Sequence, residues 1–231
     1  MLSVANLCYS YGSVQALGAI DMQVERRAIT CVIGRNGVGK TTLMKALMGV
    51  LTPDAGAIQL DGRDVARWPA HRRARAGLGL VPQGRHIFAK LTVEENLRIG
   101  LQARTDGKRQ IPEHVYELFP VLKEMSGRRG GDLSGGQQQQ LAIGRALTGD
   151  PRVLLLDEPT EGIQPNIIQQ IGDVLRRLVK EMDMTIVLVE QYLDFVREIG
   201  HQTYVMSHGK VVDQCAADQI SAEIVRRHLS V

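Results

Sequence analysis

The sequence predicts an α/β fold with an α-helical subdomain inserted between strands of the sheet. Three observations predict it. A short apolar run, Ala28–Ile33, stops at Gly34; a glycine-rich turn follows, and then Leu43, Ala46, Leu47 and Val50 recur at helical spacing. Two later runs resume the sheet: Val153–Leu156, a buried-strand pattern ending in two acids, and Thr185–Val189, a further strand. From about 83 to 150 the chain changes to helix-like pieces joined by polar, Gly-rich connections, which reads as a helical subdomain set between strands of one domain spanning 1–231.

The elements follow in order. Alternating segments at Leu2–Leu7 and Leu17–Val24 read as strands, and Gly56–Leu60 as another, closed by an Asp61-Gly62 turn. Leu78–Val81 is a short strand ending at Pro82. Thr92–Ala103, Pro112–Glu124 and Ser134–Leu147 are the helical pieces of the insert. Pro165 suits the first turn of a helix whose buried stripe is Ile168, Ile171, Val174, Leu175, Leu178 and Met182. Tyr192–Ile199 reads as a helix, and Thr203–Val212 as a hairpin about His208-Gly209.

Composition narrows the classes. Apolar residues make up 44% of 231 and charged residues 23%, ordinary for a globular chain, and the net charge of +3 is too weak to argue for nucleic acid. Cys8, Cys31 and Cys215 are odd in number and far apart, and are expected to be buried thiols in a reducing compartment. No secretory signal and no membrane-length apolar run is expected, so a membrane role would need another chain to do the spanning.

Gly34-Arg35-Asn36-Gly37-Val38-Gly39-Lys40-Thr41, with Thr42 behind it, satisfies the P-loop pattern in the context the pattern demands, after a strand and opening a helix. Glycines let backbone N–H groups turn inward onto phosphates, and the helix N-terminus adds partial positive charge. Lys40 brings a full charge to the β- and γ-phosphates, and Thr41 a hydroxyl for Mg²⁺. Val153–Leu156 runs into Asp157 and Glu158. Ligands of open α/β sheets bind at the carboxyl ends of strands, so Asp157 is expected near the Mg²⁺ and Glu158 near a water that attacks the γ-phosphate. An isolated Asp-Glu pair is more often a solvated loop; the P-loop in the same chain changes that balance.

Leu133-Ser134-Gly135-Gly136-Gln137 begins a second anion-ready helix. Ser134 and Gln137 are spaced as a capping box, and the two glycines leave the first-turn N–H groups open. In its order and spacing of P-loop, Ser134–Gln137 and Asp157-Glu158, the whole chain resembles the ATPase cassettes of the ABC family, which implies a P-loop NTPase fold with a mixed sheet core, an antiparallel β subdomain and an inserted α-helical subdomain. The resemblance implies a head-to-tail pair with a second ABC ATPase subunit, each ATP lying between one chain's P-loop and the other's Ser134, Gly135, Gly136 and Gln137. It implies adenine stacking on Tyr11, contact of Gln83 with Mg²⁺ and the attacking water, and docking onto transmembrane permease subunits through about Gly84–Leu97. It also implies a cytoplasmic chain, peripheral on the inner face of the bacterial plasma membrane. A homodimer or a monomer in isolation stays open.

Two positions depart from the family pattern. Gln191 stands where a histidine is usual after the strand Thr185–Glu190, and Gln164 where an aspartate is common. A glutamine donates a hydrogen bond but carries no charge. One reading is a specialised site in an unequal pair; the other is a neutral exchange in which Gln191 does the same work. The Val-Glu-Gln context resembles an ATPase subunit of branched-chain amino-acid transporters. The segments Arg73–Gly77, Val81–Arg85, Ser134–Ile143 and Thr160–Pro165 resemble those of urea and short-chain amide importers, which is the leading expectation for the solute. The rivals are another P-loop enzyme such as a kinase, a soluble repair or translation cassette, and a nucleotide-gated scaffold with little hydrolysis. Ser134–Gln137 speaks against the first. The single cassette, without heptads between Lys40 and Ser134, speaks against the second, and Glu158 against the third.

Overall fold

The computed structural model describes residues 2–229 and is built on two sheets. The first is antiparallel, with order β2-β1-β4-β5, from β1 (Leu2–Tyr11), β2 (Val14–Val24), β4 (Ala55–Leu60) and β5 (Arg63–Asp64). The second has order β10-β9-β3-β8-β7-β6, from β3 (Ile29–Ile33), β6 (Leu78–Val81), β7 (Val153–Asp157), β8 (Thr185–Glu190), β9 (Gln202–Ser207) and β10 (Lys210–Ala216). Its strands are parallel except for β10, which returns antiparallel beside β9.

Strand periodicity divides the interior in two. Ile29, Cys31 and Ile33 face one core with Leu154, Leu156, Ile186 and Leu188. Val32, Leu155, Val187 and Val189 face the other. Successive side chains point to opposite sheet faces, so strands apolar at every position are what a sheet covered on both sides requires. The first face is covered by α6 (Gly135–Thr148), α7 (Pro165–Met182) and α8 (Leu193–Ile199). The second is covered by α1 (Lys40–Met48) and the antiparallel sheet, through Leu43, Leu47, Ile20 and Ile58.

Between β6 and β7 run α3 (Val93–Gly100), α4 (Glu113–Leu118), α5 (Pro120–Glu124) and α6. Thr92 and Glu95 form a capping box that starts α3. The single helix expected over Pro112–Glu124 is two: Phe119 leaves helical geometry at φ −134°, and Pro120, fixed in φ and without an N–H, opens the second.

One element was not foreseen and two expectations are corrected. A short helix, α2 (Ala70–Arg75), forms where none was expected, because its buried member is the charged Arg73 and no apolar stripe announces it. Met182 is exposed and Val179 takes its place in the stripe of α7; Asp183, left-handed at φ 55°, ends the helix and turns Met184 inward instead. Of the three cysteines, all free, only Cys31 is fully buried.

Among the described residues no helix is long and apolar enough to cross a membrane.

Candidate nucleotide site

The phosphate loop, Asp157, Glu158 and Gln191 gather at the carboxyl ends of β3, β7 and β8, three neighbouring strands. The loop Gly34–Gly39 leaves β3 and hands over to α1 at Lys40. Gly39, at φ 105°, would put a Cβ 2.5 Å from the Ala16 carbonyl oxygen, so only glycine fits there. No side chain caps the N-terminus of α1 and its first turn holds no acid, which leaves its N–H groups ready for an anion.

Lys40 is buried. Its Nζ donates to the carbonyl oxygens of Gly34 at 2.7 Å and Arg35 at 3.0 Å, and lies 3.4 Å from Glu158 Oε1. Glu158 itself sits at φ 49°, and its N–H donates to the Val189 carbonyl of the adjacent strand end at 2.9 Å. Its carboxylate collects three candidates. Oε1 accepts from Gln191 Nε2 at 2.6 Å and Oε2 from Gln83 Nε2 at 3.1 Å, beside the Lys40 ammonium. Gln191 Nε2 also donates to Asn36 Oδ1 of the loop at 2.7 Å. The Gln191 amide thus links the phosphate loop to Glu158.

Asp157 ends β7 one residue earlier and turns to the other side. Burial, with the neighbouring Glu158 charge adding to it, pushes its carboxyl up to about 6 against the pull of the nearby Thr41 hydroxyl. Its Oδ1 is buried with no partner. An orphaned carboxylate oxygen beside a threonine hydroxyl is a hard oxygen donor set, which suits Mg²⁺. Among the described residues there is no cluster of three or more His, Cys, Asp or Glu that could hold a metal ion.

A cavity of about 650 Å³ opens over the loop, with Lys40, Thr41, Thr42, Gln83 and Glu158 in its wall and Tyr11 at its rim. Tyr11, at the end of β1, is 49% exposed and stands edge-on to Tyr9 with ring centroids 4.9 Å apart. Gly37 and Gly39 line the cavity as well.

Ser134, Gly135, Gly136 and Gln137 do not line it. They start α6, where Ser134 Oγ accepts from the Gln137 N–H at 3.3 Å and Gln137 Oε1 from the Ser134 N–H at 2.9 Å. Within one chain the two anion-ready helix starts are separate. Arg85 reaches from the segment after Gln83 toward both regions, with Nη1 3.5 Å from Gln138 Oε1 and Nη2 3.4 Å from the Glu161 carbonyl.

Three contributors were not foreseen. Glu161 accepts from Gln83 at 3.1 Å. The His208-Gly209 hairpin tip lines the cavity, held by the Gly209 N–H donating to the Val38 carbonyl at 3.0 Å. Glu190 is buried behind Gln191. A carboxylate closing the apolar run Thr185–Val189, as Asp157 closes the run before it, was the available signal for the last.

Sheet order, phosphate loop and paired acids together define an ATPase cassette of the P-loop class. The model of the ABC transporter family matches residues 17–161. The high-affinity branched-chain amino acid transport ATP-binding protein BraG of Pseudomonas aeruginosa is 41% identical over 214 residues, 92% of this chain and 91% of its own. The probable branched-chain amino acid transport ATP-binding protein LivF of Archaeoglobus fulgidus is 35% identical over 223 residues, 95% and 94% of the two chains. A crystal structure of a nucleotide-free ATP-binding cassette from an ABC transporter superposes with a TM-score of 0.85 at 26% identity, covering 100% of this chain and 95% of that one. The chain belongs to the ABC transporter family, as an ATP-binding subunit that hydrolyses ATP.

Proposed function

We propose that this chain energises an importer of branched-chain amino acids as one half of a head-to-tail ATPase pair. Similarity to BraG and LivF over more than nine-tenths of each chain supports the solute class. It favours that reading over urea and short-chain amides, which rests on the segments at 73–77, 81–85, 134–143 and 160–165 alone. No residue of this chain would touch the solute in either case, since substrate contacts belong to other subunits.

The observation that carries the chemistry is the convergence of Lys40, Gln83 and Gln191 on Glu158. Gly34–Thr42 cradles the phosphates of ATP, with the backbone of Gly34, Arg35, Asn36, Gly37, Val38 and Gly39 turned inward and Tyr11 stacked on the adenine. Lys40 leaves the Gly34 and Arg35 carbonyls for the β- and γ-phosphates. Thr41, Asp157 and Gln83 would hold Mg²⁺, which when bound neutralises phosphate charge. Glu158 orients the attacking water and takes its proton, while Gln191 fixes the carboxylate that does so. Ser134, Gly135, Gly136 and Gln137 close over the ATP of the second subunit, which explains why they lie apart from Lys40 in one chain.

The helical segment of about 83–150 is the route to the permease subunits, and Asn96 ties the loop 84–92 down at Phe88 and Thr92. The buried Asn96 accepts from the Phe88 N–H at 2.8 Å and donates to the carbonyls of Phe88 and Thr92 at 3.0 and 2.9 Å, while Phe88 stays half exposed. The assembly lies on the inner face of the bacterial plasma membrane. With Gln191 in place of histidine, this site works on terms unequal to its partner's.

Uptake by cells carrying the assembled importer tests the reading. Labelled leucine is taken up with the wild-type chain and not with Lys40→Ala. Urea uptake without leucine uptake moves the assignment to the amide reading.

A further inference from the structure

Glu190 is a buried carboxylate, 2% exposed, at the end of β8 between the phosphate-loop strand β3 and the strand β7 that carries Asp157. Among the described residues no cation pairs with it; four donors surround it instead. Oε1 accepts from the Thr160 N–H at 3.0 Å and the Thr160 hydroxyl at 2.7 Å. Oε2 accepts from the N–H groups of Gln191 at 2.9 Å and Tyr192 at 3.3 Å. A buried charge without a counter-ion is costly, and a fifth apolar residue would have continued the run Thr185–Val189 at no such cost.

The arrangement divides by oxygen. One oxygen holds the loop after β7, two residues beyond Glu158. The other holds the loop after β8, at Gln191 itself. These are the loops whose side chains meet in the 2.6 Å contact between Gln191 Nε2 and Glu158 Oε1. We propose that Glu190 is a positioning residue that ties the two loops together through its two oxygens and so sets the placement of Gln191 against Glu158. This rests on the assignment of Glu158 as the base. Burial raises the Glu190 carboxyl above its ordinary range, and the four donors, which all point at oxygen, pull it back toward the charged form.

The division by oxygen makes Glu190→Gln informative. An amide has one acceptor oxygen, so one loop keeps its bonds and the other faces an NH₂ group that cannot accept. In the assembled importer, Glu190→Gln lowers kcat for ATP about tenfold with KM changed by less than about twofold, the pattern of a lost transition-state interaction. In a Gln191→Ala background the same change costs less than about a further twofold, because it acts through Gln191. Unchanged kcat, or losses that multiply in the double variant, overturn the proposal. If Glu190→Gln does not fold, Thr160→Val carries the test: it removes one donor and keeps the carboxylate, and kcat falls about threefold; an unaltered rate overturns the proposal. Glu158→Gln run alongside separates the two claims. If it hydrolyses ATP normally, the base assignment falls; if it is inactive while Glu190→Gln is normal, only the positioning role falls.

Discussion

Gln191 holds Glu158 and Asn36 with one amide nitrogen, at 2.6 and 2.7 Å, and so joins the phosphate loop to the acid at the end of β7. Both hydrogens of the amide are used, which a neutral imidazole, with a single N–H, cannot copy. Gln191→His therefore breaks one of the two links. It also brings a titrating group to the site: ordinary histidine ionises near about 6.5, whereas the wild-type amide does not titrate. The ATPase rate of the variant importer changes across about pH 6 to 7.5 relative to wild type, because the cationic ring pairs with Glu158 below that window and the neutral ring above it does not. Parallel pH–rate profiles for the two proteins contradict this role of Gln191.

The Lys40 ammonium is bonded to two loop carbonyls and lies beside Glu158. Lys40→Ala removes the full charge that would meet the phosphates. Nucleotide affinity, measured by titration calorimetry on the full chain, falls by at least about tenfold, in line with loss of a charge-assisted contact. Retained affinity means that the loop backbone alone carries binding.

Arg73 bears on stability at a distance from the chemistry. Its fully buried guanidinium donates to the carbonyls of Ala46 at 2.6 Å and Leu47 at 2.7 Å, at the end of the phosphate-loop helix. It also reaches Trp68 at 3.0 Å and Ala66 at 2.9 Å. Burial draws it down to about 10, still charged near neutral pH. Arg73→Met strands these carbonyls and costs about 3 kcal/mol. For a chain of this size that lowers the melting temperature by roughly 6–12 °C in calorimetry. A shift under about 2 °C would show that the carbonyls find water instead.

Much of the candidate site's placement was legible because it is written in short, local patterns. Gly34–Thr41 needs glycines at particular turns, Asp157-Glu158 follows a strand apolar at every position, and Ser134 with Gln137 is a cap that reads from spacing alone. What stayed hidden depends on contacts between distant segments. Arg73 reads as a surface charge until the carbonyls of α1 are set around it. Glu190 reads as the polar end of a strand until Thr160 arrives from another loop. Nothing in the sequence places the Gln191 amide within reach of Asn36, because the two lie on different strands' loops and meet only through the order β3-β8-β7.

Glu158 is the proposed base of this ATPase, and single-turnover hydrolysis of ATP by the assembled importer, wild type against Glu158→Gln, decides that role. The substitution keeps an oxygen acceptor and removes the proton acceptor of a carboxylate, so ATP binding stays within about twofold, hydrolysis falls by on the order of 10²–10³, and the pair remains closed on ATP. Hydrolysis at the wild-type rate by Glu158→Gln contradicts the claim.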